Sequence, residues 1–296
     1  MSFFIRLASF VVGLAISTVA FSAFAHDPLI VPTKRSDMDI SHDYHLELLT
    51  LALDKAKYPF SNIEASVPMT ESRAALALEK DRIIDVFWMG TDADKESRLA
   101  AIPIPTTKGM IGLRKLLIRR GNYSEFESID SLAQLQKKMA CQGHDWPDTA
   151  ILQNAGIRVA TSPQYEALFG MLSAGRCDFF PRSLHDFERE LIERSKQYPD
   201  LIGLQSLVIQ YPFAVFFFTN KDNTELAGAI EKGLFLLQAS GELDTFMRQH
   251  PLTRRAFPLS QYREDTIIAI DNPVVPKGYS TAKYAPFWIS LEKDNK

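Results

Sequence analysis

Cysteine is nearly absent from this chain: Cys141 and Cys177 are the two among 296 residues. Two cysteines cannot build a four-cysteine zinc site, and no His-Glu-x-x-His run or cysteine cluster occurs. There is no Gly-x-Ser-x-Gly elbow, Walker loop or Gly-x-Gly-x-x-Gly turn, which removes the sequence signs of serine hydrolases, nucleotide hydrolases and dinucleotide enzymes. Internal repeats and low-complexity tracts are missing too. An excess of positive charge is also lacking, with 33 Lys and Arg against 36 Asp and Glu. That balance argues against a nucleic-acid or anionic-membrane partner. After residue 25 no apolar run is long enough to span a bilayer.

Residues 1–25 read as a signal peptide. Arg6 supplies a short positive region, Leu7 to Phe21 is apolar, and Ala23-Phe24-Ala25 fits the small-x-small cleavage rule. Cleavage after Ala25 gives a periplasmic or secreted product with 32 basic and 36 acidic residues, a net charge of −4. No cysteine follows the cleavage site to carry a lipid. In an oxidising compartment Cys141 and Cys177 either pair or stay as two buried thiols. Pairing needs Cα atoms closer than about 7 Å.

The mature length suits two lobes rather than one core. Strand-like Pro28–Thr33, amphipathic His42–Lys57, strand-like Ile63–Val67, a helix from Thr70 and the apolar run Ile84–Trp88 alternate as β-α-β-α-β, which predicts a mostly parallel sheet. A second α/β set runs from Met110 through strands at 138–142, 157–160 and 176–181. Tyr211–Thr219 is another strand, whose Phe216-Phe217-Phe218 reads as core rather than ligand platform. Helices follow at 225–239 and 242–249. The tail from Pro251 is proline-rich and loop-like, carries Trp288, and is expected to wrap a lobe. The runs 110–118 and 211–219 join the units as two crossings, giving boundaries of 26–112 for the first part of lobe one, 113–215 for lobe two, and 216–296 for the return and extension. Such proteins close on a ligand by hinge motion.

The stretch Ile84–Arg98 carries the first candidate site. A buried strand ends in the turn Gly90-Thr91, and Arg98 follows one short polar turn later. Open α/β sheets bind ligands at their carboxyl edge, where an arginine can hold a carboxylate bidentately. The alternative is an arginine on a solvated helix start.

Three blocks resemble the periplasmic solute-binding proteins of the polar-amino-acid type (family 3, type II periplasmic-binding fold). Asp85, Gly90-Thr91 and Glu96-Ser97-Arg98 are similar to that family's carboxylate-binding turn. Leu132–Gly143 with Leu172–Asp178 resembles the start of its second lobe, and Phe217–Phe246 its return. The resemblance implies a two-lobed α/β fold with two hinge segments, and a protein without cofactor or metal that captures a small solute as a monomer for a permease or membrane sensor. It implies that Arg98 clasps a ligand carboxylate and that Gly90 and Thr91 add donors. The chain departs from the pattern at Ser183, where the family places an aspartate for the ligand ammonium, and at Ala93, where a hydroxyl is lost. With Arg182 beside Ser183, these changes point to a carboxylate-bearing or anionic solute, unless Arg182 is a surface side chain. Asp145 and Trp146 are offered by the next lobe-two loop, either toward the ligand or as helix cap and packing. Trp88 either lines the cleft or belongs to the core.

His42 and His45, at i and i+3, read as a solvated helix start rather than as metal ligands. Two other functions stay open. One is a dehydratase-like enzyme on the same fold, with Asp145, His144 or Glu96 as acid or base. The other is a ligand-less accessory that binds another protein.

Overall fold

The protein is described by a computed structural model covering residues 27–34, 39–144, 146–273, 282–289 and 291. The expected signal peptide and its cleavage point lie outside the described residues, as does Asp145. Among the described residues no helix is long and apolar enough to cross a membrane.

In chain order the first lobe opens with β1 (Leu29–Val31), α1 (Ile40–Ala56), β2 (Ile63–Ala65), α2 (Glu71–Leu76), β3 (Val86–Gly90), α3 (Ala93–Arg98) and β4 (Ala100–Ile102). The second lobe contains β5 (Leu113–Arg119), α4 (Tyr123–Glu127), α5 (Leu132–Leu135), β6 (Met139–Gly143), α6 (Pro147–Asn154), β7 (Arg158–Ser162), α7 (Tyr165–Ser173), β8 (Phe179–Ser183), α8 (Phe187–Arg194) and β9 (Leu201–Gln210). The chain returns through β10 (Val215–Thr219), α9 (Thr224–Ala239) and α10 (Glu242–Gln249), and ends with β11 (Thr266–Ala269).

In the first lobe β1 and β2 pair in parallel, while β10 lies between β3 and β4. The pieces join at Asp85: its N–H donates to the Ile30 carbonyl at 2.7 Å, and its carboxylate accepts the Ile30 N–H at 2.8 Å. The second lobe is a six-stranded sheet in the order β11-β9-β5-β8-β6-β7. The antiparallel pairings all involve β5 or β10, the strands that follow the two crossings, while the other pairings are parallel.

Local chemistry explains the long helices. Asp39 caps α1 by accepting from the His42 N–H at 3.2 Å, and Lys57 ends it in the left-handed conformation at φ 58°. Asn223 caps α9, accepting from the Leu226 N–H at 3.3 Å. The two helices pack closely because α9 carries Gly233 at the contact, where a Cβ would fall 1.8 Å from the Ala52 carbonyl oxygen. Tyr44, Leu48, Leu49, Leu53, Phe217 and Ile230 fill the first-lobe core. All three of Phe216, Phe217 and Phe218 are fully buried, so that run is core.

Two sequence expectations need correction. The tail past Pro251 is not simply loop. Thr266–Ala269 is a strand, and it joins the second lobe's sheet in parallel with β9. His42 and His45 are not solvated but buried. They occupy the stripe 42, 45, 49, 52, 56, whose 3-4-3-4 spacing faces the core.

Candidate functional site

A cleft of about 1360 Å³ separates the lobes. From the first lobe it is lined by Pro32 and Thr33 after β1, by Ser41, His42 and His45 of α1, by residues 68–72 before and within α2, by Phe87–Met89 of β3, and by Asp92 and Lys95. From the second lobe come His144, Trp146, Pro147, Thr149, Ala150, Gln153 and Pro163, with Ile111 at the first crossing and Val215 at the start of β10. This is the carboxyl edge of β1, β3 and β6, where α/β sheets bind ligands.

Trp88 belongs to both readings offered for it: it is largely buried, yet lines the cleft. His45 stacks on its ring with centroids 5.2 Å apart and planes 5° from parallel, and His42 meets it edge-on at 5.1 Å. The His42 Nε2 sits 2.9 Å from the Pro32 carbonyl. The His45 Nδ1 lies 2.6 Å from the Ser41 carbonyl, and its Nε2 lies 3.0 Å from the Thr106 hydroxyl. Burial pushes the His45 pKa down to about 3, against the opposing bond to Ser41, so the ring is neutral.

Trp146 lines the facing wall, half-buried. It folds back over Gly143, where a Cβ would lie 2.4 Å from the indole ring, so only glycine admits this placement. Phe180 stacks near the ring at 6.4 Å, and the Arg182 guanidinium lies 5.2 Å from its centroid.

The expected anion clasp is placed elsewhere. Arg98 ends α3 but does not line the cleft. Its Nη1 donates to Glu79 at 2.6 Å, and its Nη2 to Asp94 at 2.7 Å. An i,i+4 carboxylate on its own helix and a second one from the helical turn 77–81 after α2 satisfy its fork within lobe one. The cleft cation of α3 is Lys95, one turn earlier, which pairs with Asp92. Thr91 is buried with its donors spent. Its N–H goes to the Ala214 carbonyl at 3.1 Å, and its hydroxyl to Glu96 at 2.5 Å. Gly90 is buried in β3 opposite Val215, with the Phe213 ring against it.

Arg182 and Ser183 are likewise turned inward. Arg182 makes a bidentate pair with Glu190, at 2.5 and 2.7 Å. Burial opposes its charge, but Glu190 outweighs that and lifts its pKa above the ordinary arginine value. The Ser183 hydroxyl donates to Asp186 at 2.7 Å and is fully buried. It does not line the cleft, so the aspartate-to-serine departure says nothing there about a ligand ammonium. Cys141 and Cys177 form a disulfide with Cα atoms 5.6 Å apart.

The cleft wall is tied to the crossings by a buried triad that the sequence did not reveal. Asp148, in the first turn of α6, takes a hydrogen bond from Tyr211 and an ion pair from Arg114, whose Nε also donates to the Tyr211 hydroxyl at 2.8 Å. Arg114 follows the first crossing, and Tyr211 opens the second.

No family model matches the chain, and no curated protein matches it. Solved structures do match. A histidine kinase sensor domain with similarity to periplasmic binding proteins is 16% identical, with 76% of this chain and 96% of that chain covered at a TM-score of 0.52. The chain has the periplasmic-binding fold. Two further solved structures are similar to it. The amino acid ABC transporter substrate-binding protein AbpA from Streptococcus pneumoniae, bound to L-arginine, is 17% identical over 74% of this chain and 84% of that chain, at a TM-score of 0.50. A Bacillus subtilis protein is 14% identical over 83% and 95%, also at 0.50. Trp88, Lys95 and Trp146 all line the interlobe cleft.

Proposed function

We propose that this protein is a periplasmic solute-binding protein, exported by cleavage after Ala25, that closes its lobes on a small polar solute bearing a carboxylate. One observation carries the reading: the cleft presents an indole from each lobe, Trp88 and Trp146, with Lys95 on the first-lobe wall. The indoles would cover the apolar or planar part of the solute, and Lys95 would exchange Asp92 for the solute carboxylate. The protein would act as a monomer and hand the solute to a permease or report it to a membrane sensor. No catalytic step or cofactor is assigned.

The test is a thermal-shift screen of the mature chain against amino acids, dicarboxylates and small anions. A true ligand at ~100 times its Kd should add about 2.7 kcal/mol of stability. Trp146→Ala and Lys95→Ala should each weaken that ligand at least about tenfold, as expected for a desolvated contact worth roughly 1.4 kcal/mol or more. Arg98→Ala should leave its Kd unchanged. A panel without any stabilising compound, or a ligand lost with Arg98→Ala and kept with Lys95→Ala, would overturn the assignment.

A further inference from the structure

The lobes are joined by two crossings, around residues 103–112 and 211–214, and the C-terminal segment is attached to both. Leu252 and Ala256 lie in the first-lobe core. The chain then passes to the second lobe, where β11 pairs with residues 207–210 of β9 and Ile268 and Ile270 enter the core. At the end of β9 the Ile270 N–H donates to the Gln210 carbonyl at 2.9 Å, and on the second crossing the Asn272 side-chain Nδ2 donates to the Pro212 carbonyl at 2.7 Å. Just before β11, Asp265 forms a buried ion pair at 2.6 Å with Lys115, which lies past the first crossing on β5.

The segment is next described back on the first lobe, where Phe287 is fully buried in the core. Beside it, the Ile289 N–H donates to the Lys108 carbonyl at 2.9 Å, and the Trp288 ring packs against Gly109. Lys108 and Gly109 are both left-handed, at φ 52° and 73°, within the first crossing. A Cβ at position 109 would fall 2.5 Å from the Trp288 ring, so backbone and indole are fitted to each other. Crossing residues must change φ and ψ for the lobes to part. Here Ile270 and Asn272 hold residues 210 and 212, and Trp288 and Ile289 hold residues 108 and 109.

We propose that residues 265–273 and 284–289 form a strap that ties both crossings and limits how far the lobes open. Full opening then requires Trp288 and Ile289 to lift from residues 108–109. The inference does not depend on any solute, because it concerns the resting angle of the empty protein.

The experiment measures interlobe distance by pulsed electron resonance on the full mature chain, spin-labelled at Glu64→Cys and Asn154→Cys without added ligand. Trp288→Ala should shift the distance distribution to longer values and broaden it. Ile289→Pro keeps the Trp288 ring, removes the N–H that holds Lys108 together with the Ile289 side chain, and should act in the same direction. Amide exchange at Gly112 and Tyr211 should quicken about tenfold in both variants, the result of losing roughly 1.4 kcal/mol of local protection. If Trp288→Ala fails to fold, Ile289→Pro decides. Folded variants with the parental distance distribution would overturn the strap, whatever the solute screen finds.

Discussion

Replacing Arg182 with methionine separates the two roles that this arginine could hold. Its side chain is 8% exposed and that of Glu190 is 3% exposed, and they meet in a two-point ion pair. Removing the cation leaves a carboxylate buried on α8 without its main counter-charge. Such a break costs about 3–5 kcal/mol, a large part of the 5–15 kcal/mol that holds a typical domain together. The contacts of the guanidinium with Phe180, Trp146 and Tyr165 are lost in the same step and fall within that range. Pairing Arg182→Met with Glu190→Leu removes both charges and should recover most of the loss, since well-packed apolar pairs replace buried ion pairs at little cost. The assay is urea unfolding of parent, both single variants and the double variant, read as a double-mutant cycle. Solute affinity of the folded double variant should stay within about threefold of the parent, below the tenfold expected for a lost direct contact of roughly 1.4 kcal/mol. A single variant costing less than ~1 kcal/mol, or a double variant no better than the single, would refute the buried-pair account. Loss of solute binding without loss of stability would return Arg182 to the cleft.

Three further outcomes follow from the same structure. His45 is buried with its pKa pushed down to about 3 from 6.5, so the unfolded chain takes up a proton that the folded one refuses. Its stabilising contribution is complete above pH 6.5 and falls by roughly 1.4 kcal/mol per pH unit as the pH drops toward 3. His45→Gln should therefore flatten urea stability between pH 6.5 and 4.5, and an unchanged slope would contradict the burial argument. Gly233→Ala should lower stability by about 1–3 kcal/mol by forcing α9 off α1, whereas Gly228→Ala on the same helix, with open space around it, should not destabilise. Replacing both Cys141 and Cys177 by alanine opens a loop of 36 residues, and the urea midpoint should fall by the equivalent of about 3–4 kcal/mol.

The alternation of apolar runs was enough to reveal two α/β lobes, because strands buried on both faces and helices with one apolar stripe leave different periodicities. The site was harder to read. Spacing put Arg98 and Arg182 near the carboxyl ends of strands, but a side chain turns toward its strongest partner. Those partners, Glu79 and Glu190, stand on neighbouring elements that local spacing does not register. His42 and His45 were missed although the signal was present, in register with Leu49, Ala52 and Ala56 on the buried stripe. The strand β11 was hidden by surrounding prolines, while its Thr266-Ile267-Ile268 run has the β-branched character of a strand. Trp146 was visible as a candidate, and Gly143 before it turned out to be the reason that the ring can fold back.

Asp148 receives a donor from each crossing, Arg114 after the first and Tyr211 at the second. Two stretches of backbone almost a hundred residues apart therefore answer to one carboxylate on the cleft wall. Energies assigned separately to the two crossings will not sum. A change at residue 114 alters what a change at residue 211 can cost, because each leaves the same anion short of a partner. Efforts to alter how the crossings join the two lobes must treat these three residues as one variable.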